Sequence, residues 1–306
     1  MKIGIIGAGG VGGFFGARLA QAGYDVGWLA RGAHLAAIQR DGLRVRSQTG
    51  DMQIVPARAS DDAAELGPCD LVLLTVKLWD TEGAIAAARP MIDGGATLMS
   101  LQNGVQKDDL LRHLLPATPL LGGVAYIEAH IEEPGLIVHG GTLQRLVFGP
   151  LGGGDSPLAA EFLAACQAAG ISAELSGAIE TAIWEKFVFL VGLSGLTSAA
   201  RLPAGPLREN AATRALLLEC MQEVVAVARA SGVDLPADFA ERQIGRYDHV
   251  PAAMTSSMHK DLERGNRLEL PWLSGHVAEL GRQLGVATPV NRVISGLLAP
   301  YAEGRS

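Results

Sequence analysis

The chain has 306 residues, of which 48% are hydrophobic and 19% are charged. This length and composition allow a sizeable buried core and predict a soluble globular protein with two domains or one large one. The net charge is −7 and the basic residues are scattered rather than clustered, which argues against a nucleic acid or an anionic membrane as partner. We therefore expect a small-molecule substrate.

The cysteines and histidines argue against two further kinds of site. Cys69, Cys166 and Cys220 are far apart and lie among apolar residues, which predicts reduced core thiols of a cytoplasmic protein. The seven histidines are dispersed without paired ligand spacing, so no metal is expected. The longest apolar run, residues 187–200, is shorter than the ~20 residues that span a bilayer.

The N-terminus has the pattern of a strand, a tight turn and a helix. An isoleucine-rich run at residues 2–6 leads into "GAGGVG", and a second strand follows at residues 25–31. Glycines at this spacing let the backbone turn sharply and approach a diphosphate, and the helix N-terminus attracts phosphate. We predict a dinucleotide site here, with a purely structural turn as the alternative. The candidate contacts are Gly7, Gly9, Gly10, Val11 and Gly12.

The residue at the end of the second predicted strand bears on the choice of dinucleotide. NAD sites usually carry Asp or Glu at this position to bind the ribose 2′-hydroxyl, whereas this chain has Arg31. A guanidinium suits the 2′-phosphate of NADP(H). We therefore predict NADP(H) rather than NAD(H); a solvated surface arginine is the alternative.

Two further strands end near polar residues. The run at residues 69–77 is continuously apolar, as central parallel strands are, and ends at Lys77, while a strand at residues 96–102 opens into Asn103. Because ligands bind outside the carboxyl ends of such strands, both residues should converge with the glycine turn on one crevice. For Asn103 a plain turn is equally consistent. The other predicted elements are a hairpin at 43–47 and 52–57, helices at 61–66, 79–89 and 158–170, and strands at 118–130, 135–140, 144–150 and 171–175.

From about Gly177 the periodicity becomes helical. The shift predicts an α/β Rossmann-type N-terminal domain at residues 1–175 and an all-α C-terminal domain at residues 176–306. The predicted helices are 179–194, 207–231, 236–247, 255–264, 269–284 and 289–301.

Lys186 interrupts the first of these helices. The residues three and four positions away on either side are all apolar. The lysine either extends its charge to the protein rim, which the helix alone favours, or holds it in a cleft suited to proton transfer. Glu269 by itself is typical of a charge in a helix's first turn, favoured by the helix dipole.

The chain resembles the ketopantoate reductase (2-dehydropantoate 2-reductase) family over nearly its full length. The motifs that carry the resemblance are "GAGGVG", Arg31, "TVKLW" with Lys77, "LQNG" with Asn103, "WEKF" with Lys186, and "SSMHKDLERGNRLEL" with Ser257 and Glu269. The resemblance implies an NADPH-dependent reductase that converts ketopantoate to pantoate in pantothenate biosynthesis, with its active site between an NADP-binding domain and a helical domain.

The resemblance also implies roles for individual residues. Lys186 would protonate the ketone oxygen as hydride arrives, and Glu269 would orient or balance its ammonium group. Asn103 and Ser257 would hold the substrate, and Lys77 would lie near the nicotinamide and the reacting centre. Lys77 and Asn103 are thus candidates for both cofactor and substrate contacts.

Three positions depart from the family pattern. Leu190 stands where many members carry asparagine, Ser194 replaces another polar residue, and Pro271 stands where the family has aspartate. A site without these partners would bind the polar end of ketopantoate less well. A less polar 2-keto acid is therefore the second hypothesis, and a non-catalytic NADPH-binding regulatory protein is the third. A homodimer is compatible with the sequence, which does not specify the oligomeric state.

Overall fold

The computed structural model describes residues 1–305. The chain divides into two compact units, Met1–Ala182 and a second that begins at Ile183. The strands are β1 (Lys2–Ile6), β2 (Asp25–Leu29), β3 (Leu43–Ser47), β4 (Met52–Ile54), β5 (Arg58–Ser60), β6 (Leu71–Leu74), β7 (Thr97–Ser100), β8 (Leu120–Glu133), β9 (Leu136–Pro150) and β10 (Ser172–Leu175).

Helices flank the strands of the first unit and make up the second. They are α1 (Gly10–Gln21), α2 (Gly32–Asp41), α3 (Ala63–Leu66), α4 (Thr81–Ala87), α5 (Arg89–Ile92), α6 (Lys107–Leu114), α7 (Pro157–Ala168), α8 (Ile179–Ala200), α9 (Ala204–Glu209), α10 (Ala211–Ala230), α11 (Phe239–Tyr247), α12 (Ser257–Arg264), α13 (Ser274–Leu284) and α14 (Pro289–Leu298). Short 3₁₀ turns occupy Leu78–Asp80, Leu270–Trp272 and Ala299–Tyr301.

The first unit is built on one sheet of ten strands. Their order is β4-β3-β9-β8-β7-β6-β1-β2-β5, and β10 pairs with β9. The strands from β8 through β7, β6, β1 and β2 to β5 are parallel neighbours, while β8 pairs with β9 and β3 with β4 in antiparallel fashion. The predicted α/β fold class, with antiparallel extensions, is confirmed.

Alternating residues of the central strands supply two separate cores, because successive side chains of a strand point to opposite faces of the sheet. Ile3, Ile5 and Leu73 belong to one buried cluster. Ile6 and Leu74 belong to the other. Both faces of β1 and β6 are thus covered, as their continuous apolar sequence predicts.

Two predicted strands of the first unit prove to be one. The segments predicted at 135–140 and 144–150 form the single strand β9, which pairs with β8 as far as Gly140 and resumes at Gln144. Residues 141–143 lie between these two pairings, so the turn signal in the sequence marks an irregularity within the strand rather than its end. The sequence also missed β5, which pairs with β2.

α8 and the helix predicted at 207–231 have other boundaries than predicted. α8 continues to Ala200 instead of ending at Ser194, and Thr197 fits within it because its hydroxyl donates to the Leu193 carbonyl at 2.6 Å. The helix predicted at 207–231 is divided into α9 and α10. Asn210 lies between them in extended conformation, and its Oδ1 accepts hydrogen bonds from the first amides of α10.

The three cysteines are buried and free. Burial raises the pKa of the Cys166 thiol to about 12, and it raises the pKa of Cys220 as well. Both thiols therefore stay protonated at neutral pH. Across residues 1–305, no helix combines the length and the apolar character needed to cross a membrane.

Candidate functional site

The turn between β1 and α1 has its carbonyl groups held by the protein. Each of the four consecutive carbonyl oxygens of residues 6–9 accepts a hydrogen bond. The bonds are Thr75 Oγ1 to the Ile6 oxygen (3.0 Å) and the Gly7 oxygen (2.6 Å), His34 Nε2 to the Ala8 oxygen (2.8 Å), and the Gly13 amide to the Gly9 oxygen (2.6 Å). With its acceptors engaged, the turn and the N-terminus of α1 offer amide groups to an anion.

The glycines of this turn serve different purposes. Gly7 has a φ of +99°, a conformation that side chains rarely adopt. A β-carbon on Gly10 would collide with the backbone of Ala129, and one on Gly12 would collide with the Gly7 carbonyl. A β-carbon on Gly9 would meet nothing within 4 Å. The turn is therefore closely packed on the protein side and open at Gly9, which fits the diphosphate of a dinucleotide. Val11, in the first turn of α1, is half-buried.

Lys77 and Asn103 emerge at the same edge of the sheet as the glycine turn. Ile6, Leu74 and Ser100 are aligned at the carboxyl ends of β1, β6 and β7. Lys77 lies three positions beyond the end of β6, and Asn103 lies three positions beyond the end of β7. Both are half-buried, and Lys77 Nζ lies 5.6 Å from the ring centroid of Trp79. Their contacts with cofactor or substrate stay a prediction.

Sequence reasoning missed the side chains that brace this edge. Gln102 Nε2 donates to the Val76 carbonyl at 3.0 Å and to Thr81 Oγ1 at 2.9 Å. The loops after β6 and β7 are thereby joined. The only sequence signal for this bond is an amide beside Asn103, at the carboxyl end of a buried strand.

A buried ion pair follows the Asn103 loop at the start of α6. Lys107 is 1% exposed and Asp108 5% exposed, and Lys107 Nζ lies 2.7 Å and 2.9 Å from the two carboxylate oxygens. Burial raises the pKa of Asp108, while the adjacent ammonium lowers it. The pair lies within the first turn of α6, and its adjacent opposite charges are indistinguishable in sequence from a solvated surface pair.

Arg31 lies at the start of α2, directly beyond β2. Its side chain is 82% exposed, and its Nη2 lies 3.1 Å from Asp80 Oδ1. Asp80 comes from the 3₁₀ turn beyond β6. The guanidinium is thus accessible, and it pairs with a carboxylate that a phosphate group can replace as its partner.

In the second unit, Lys186 lies beside an apolar stripe of α8. The predicted stripe is buried: Trp184, Phe187, Val188 and Val191. Lys186 itself is half-buried, as is Leu190 one turn further on. The ammonium therefore belongs to a side chain that is largely withdrawn from water along an apolar helix.

Glu269 is 3% exposed, but its predicted position in the first turn of a long helix is wrong. It precedes the 3₁₀ turn Leu270–Trp272, and α13 begins only at Ser274. The chain leaves the helical conformation at Leu273, whose φ of −109° and ψ of −110° separate the 3₁₀ turn from α13, whereas Pro271 is tolerated in the first turn of a helix. Glu269 therefore does not lie in the first turn of α13, and the dipole of that helix does not explain its position.

The two adjacent serines at the start of α12 have different environments. Ser256 is buried and is the N-cap, with its Oγ accepting from the His259 amide at 3.0 Å. Ser257 is the first helical residue and is exposed. The buried hydroxyl thus stabilises the helix, and the exposed one is accessible to a ligand.

Within the described residues, no group of three or more His, Cys, Asp and Glu side chains is arranged to hold a metal ion. An α/β sheet with a glycine turn at the end of its first strand is typical of dinucleotide-binding proteins, a class that includes the nicotinamide-dependent oxidoreductases. The family model "Ketopantoate reductase PanE/ApbA" matches residues 3–153, and its C-terminal counterpart matches residues 178–302. The chain belongs to the ketopantoate reductase family.

Individual relatives match along the whole chain. A 2-dehydropantoate 2-reductase from Halobacterium salinarum is 31% identical, with 97% of this chain and 98% of that protein covered. The crystal structure of a PanE/ApbA-family ketopantoate reductase from Ralstonia eutropha JMP134 has a TM-score of 0.90 at 36% identity, covering 99% and 98% of the two chains. A D-mandelate dehydrogenase bound to NADH and anilino(oxo)acetate shares the fold, with a TM-score of 0.90, 21% identity, and coverage of 99% and 98%.

These matches confirm the resemblance, the fold class and the assignment as an oxidoreductase with a nicotinamide dinucleotide cofactor. The roles of individual residues are proposals, taken up next.

Proposed function

We propose that this protein reduces 2-dehydropantoate to pantoate with NADPH. The family membership supports the reaction, and the accessible guanidinium of Arg31 at the end of β2 supports NADPH over NADH. The observation that supports the proposed proton transfer is the half-buried Lys186 on the largely apolar helix α8.

The first unit would hold the dinucleotide. Amides of residues 9–12 bind its diphosphate at the N-terminus of α1, and Arg31 binds its 2′-phosphate after leaving Asp80. Lys77 and Asn103 contribute at the nicotinamide end, since both follow strands that end beside the turn. The bound dinucleotide supplies a hydride to the carbonyl carbon of the substrate.

Lys186 would complete the reaction by moving one proton. As the carbonyl oxygen gains negative charge, the ammonium stabilises it and then transfers a proton from Nζ to that oxygen, which yields the hydroxy acid and a neutral amine. The amine recovers its proton from solvent. Exclusion of water around the half-buried side chain strengthens the stabilisation.

The remaining residues would position the substrate. Glu269, nearly fully buried in the same unit as Lys186, balances the charge of the ammonium and orients it. Ser257 binds the substrate carboxylate through its exposed hydroxyl, and Asn103 binds the polar groups near the carbonyl. Each role requires only hydrogen-bond donors and acceptors that these side chains carry.

The test is NADPH oxidation followed against a panel of 2-keto acids that includes ketopantoate and 2-ketoisovalerate. We expect ketopantoate to have the highest kcat/KM. Lys186→Met serves as the control for contaminating reductases, because it removes the ammonium while keeping the length of the side chain. Negligible ketopantoate turnover by the wild-type protein would contradict the proposed substrate.

A less polar 2-keto acid is the second candidate, and Leu190 and Pro271 favour it. Leu190 is half-buried one turn beyond Lys186, where an amide would serve a polar substrate. Leu190→Asn separates the two candidates. If ketopantoate is the natural substrate, the variant changes its kcat/KM little; if a less polar acid is, the variant raises ketopantoate turnover and lowers that of 2-ketoisovalerate.

A non-catalytic NADPH-binding protein is the third candidate. It predicts dinucleotide binding by the wild-type protein with no 2-keto acid reduced. The presence of both Lys186 and Glu269, withdrawn from water in the same unit, favours an enzyme instead.

We also propose a cytoplasmic location, supported by three buried thiols that are all free. Cell fractionation tests the location. Size-exclusion chromatography with light scattering distinguishes a homodimer from a monomer.

A further inference from the structure

His34 bridges two segments of the first unit through both nitrogens of its ring. It lies in the first turn of α2. Its Nε2 lies 2.8 Å from the Ala8 carbonyl oxygen, and its Nδ1 lies 3.0 Å from the Gly135 amide nitrogen. The carbonyl can only accept and the amide can only donate, so the imidazole is neutral with its proton on Nε2. Burial lowers the pKa of His34, in keeping with that neutral form.

The Gly135 end of this bridge is firmly anchored. Gly135 forms the turn between β8 and β9 with a φ of +81°, and its carbonyl accepts from the Arg44 amide at 2.9 Å. The same hairpin contacts the glycine turn directly, because Gly10 packs against the backbone of Ala129. His34 is therefore held from a rigid hairpin while it binds the Ala8 carbonyl.

The Ala8 carbonyl controls the direction of an amide that a diphosphate would use. In a trans peptide the carbonyl and the following N–H point in opposite directions. A hydrogen bond that fixes the Ala8 oxygen toward His34 therefore turns the Gly9 N–H away from His34. Gly9 is also the glycine of this turn at which a β-carbon would meet no protein atom within 4 Å, which leaves room for a ligand.

The neighbouring carbonyls do not depend on His34. Those of Ile6 and Gly7 are held by Thr75, and that of Gly9 is held within the helix by the Gly13 amide. The peptide between Ala8 and Gly9 is thus the one whose carbonyl is bound by a side chain of α2. If the Ala8–Gly9 peptide flipped, it would present a carbonyl oxygen to an anion in place of an N–H group.

We propose that His34 is a positioning residue for dinucleotide binding, which holds the Ala8–Gly9 peptide in the orientation that presents an N–H group to the diphosphate. It acts through this peptide and does not itself contact the cofactor. The inference rests on the proposed placement of the diphosphate at the glycine turn.

The test compares His34→Ala and His34→Gln with the wild-type protein. A glutamine amide supplies one acceptor and one donor about as far apart as the two ring nitrogens and does not protonate. We expect His34→Ala to raise the Kd of NADPH and of ADP-ribose, which carries the same diphosphate, about five- to tenfold. We expect kcat at saturating cofactor to change less than about twofold, and His34→Gln to restore both Kd values to within about threefold. His113→Ala, at an exposed histidine of α6, is the matched control.

The outcomes distinguish a failure of this inference from a failure of the proposed dinucleotide site on which it rests. If the wild-type protein binds neither NADPH nor ADP-ribose, the dinucleotide site is wrong and the inference fails with it. If the wild type binds both and His34→Ala lowers only the melting temperature, His34 is a structural link and the inference alone is overturned. Failure of His34→Gln to restore affinity overturns the hydrogen-bonding role in the same way.

Discussion

The two units of the protein build their candidate sites by different means. In the first, the glycine turn proposed for the dinucleotide is a backbone structure, with four consecutive carbonyls of residues 6–9 bound by the protein and the glycines fitted around them. In the second, Lys186 and Glu269 are charged side chains withdrawn from water among apolar helices.

This difference determines what the sequence shows of each site. A backbone site needs residues without side chains at fixed positions, so it leaves a spacing of glycines that is recognisable by itself. A side-chain site needs only a few polar residues, and each is equally consistent with a surface charge or a helix terminus. The second site is therefore recognisable only from the joint order of the family motifs.

The largest expected effect is that of Lys186→Met on the chemical step. Removal of the proposed proton donor should lower kcat about 10²- to 10⁴-fold, while the Kd of NADPH, which we assign to the first unit, should change less than about threefold. Stopped-flow reduction of the keto acid and a fluorescence titration of NADPH measure the two quantities. A variant that kept its kcat, or that lost kcat and NADPH affinity equally, would break the assignment of chemistry to the second unit.

The next effect concerns the stability of the edge that carries Asn103. Lys107→Met leaves Asp108 buried without its partner, which should lower the free energy of unfolding by about 3–5 kcal/mol. Replacing the whole pair, in Lys107→Met with Asp108→Leu, should cost less. Arg89→Ala, in the exposed pair with Asp93, is the control and should cost at most about 1 kcal/mol. Urea denaturation compares them, and equal losses in Lys107→Met and Arg89→Ala would show that the buried Lys107–Asp108 pair contributes no more to stability than an exposed pair.

Side-chain hydrogen bonds between distant parts of the chain mark the limit of prediction from the sequence. The strand–turn–helix at the N-terminus, the buried strands and the helical second unit were predictable because periodicity and glycine spacing are local patterns. The bonds of His34 to Ala8 and Gly135 join residues 26 and 101 positions apart. No local pattern reports such a bond, since it exists only once the fold has brought α2, the β1–α1 turn and the β8–β9 turn together.

Helix boundaries were mispredicted for a related reason. Residues 207–231 have helical periodicity throughout, yet Asn210 begins a new helix with its side-chain cap. The residues after Glu269 also fit a helical pattern, but the backbone of Leu273 is not helical and separates a short 3₁₀ turn from α13. In both cases the interruption occurs at one residue, and the hydrophobic pattern of its neighbours does not report it.

A smaller effect is expected for cofactor choice in the first unit. Arg31→Ala should raise the Kd of NADPH about 10- to 100-fold, because it removes a charge-assisted bond to the 2′-phosphate. The Kd of NADH, which lacks that phosphate, should change less than about twofold. Asp80→Asn is the matched control. It removes the carboxylate that pairs with Arg31 and should leave NADPH affinity equal or higher. Parallel losses for NADPH and NADH in Arg31→Ala would instead make Arg31 a structural residue.

The smallest effects distinguish packing from ligand contact within the glycine turn itself. Gly10→Ala places a methyl group against the Ala129 backbone and should lower the free energy of unfolding by about 1–3 kcal/mol. Gly9→Ala has room and an ordinary φ of −70°. It should leave stability within about 0.5 kcal/mol and raise the Kd of NADPH several-fold, because the methyl group occupies the open side of the turn. Gly83→Ala, at an open position inside α4, should stabilise by up to about 1 kcal/mol and leave binding unchanged. If Gly9→Ala binds NADPH as the wild type does, the diphosphate does not approach the turn from its open side, and the backbone site described for the first unit must be abandoned.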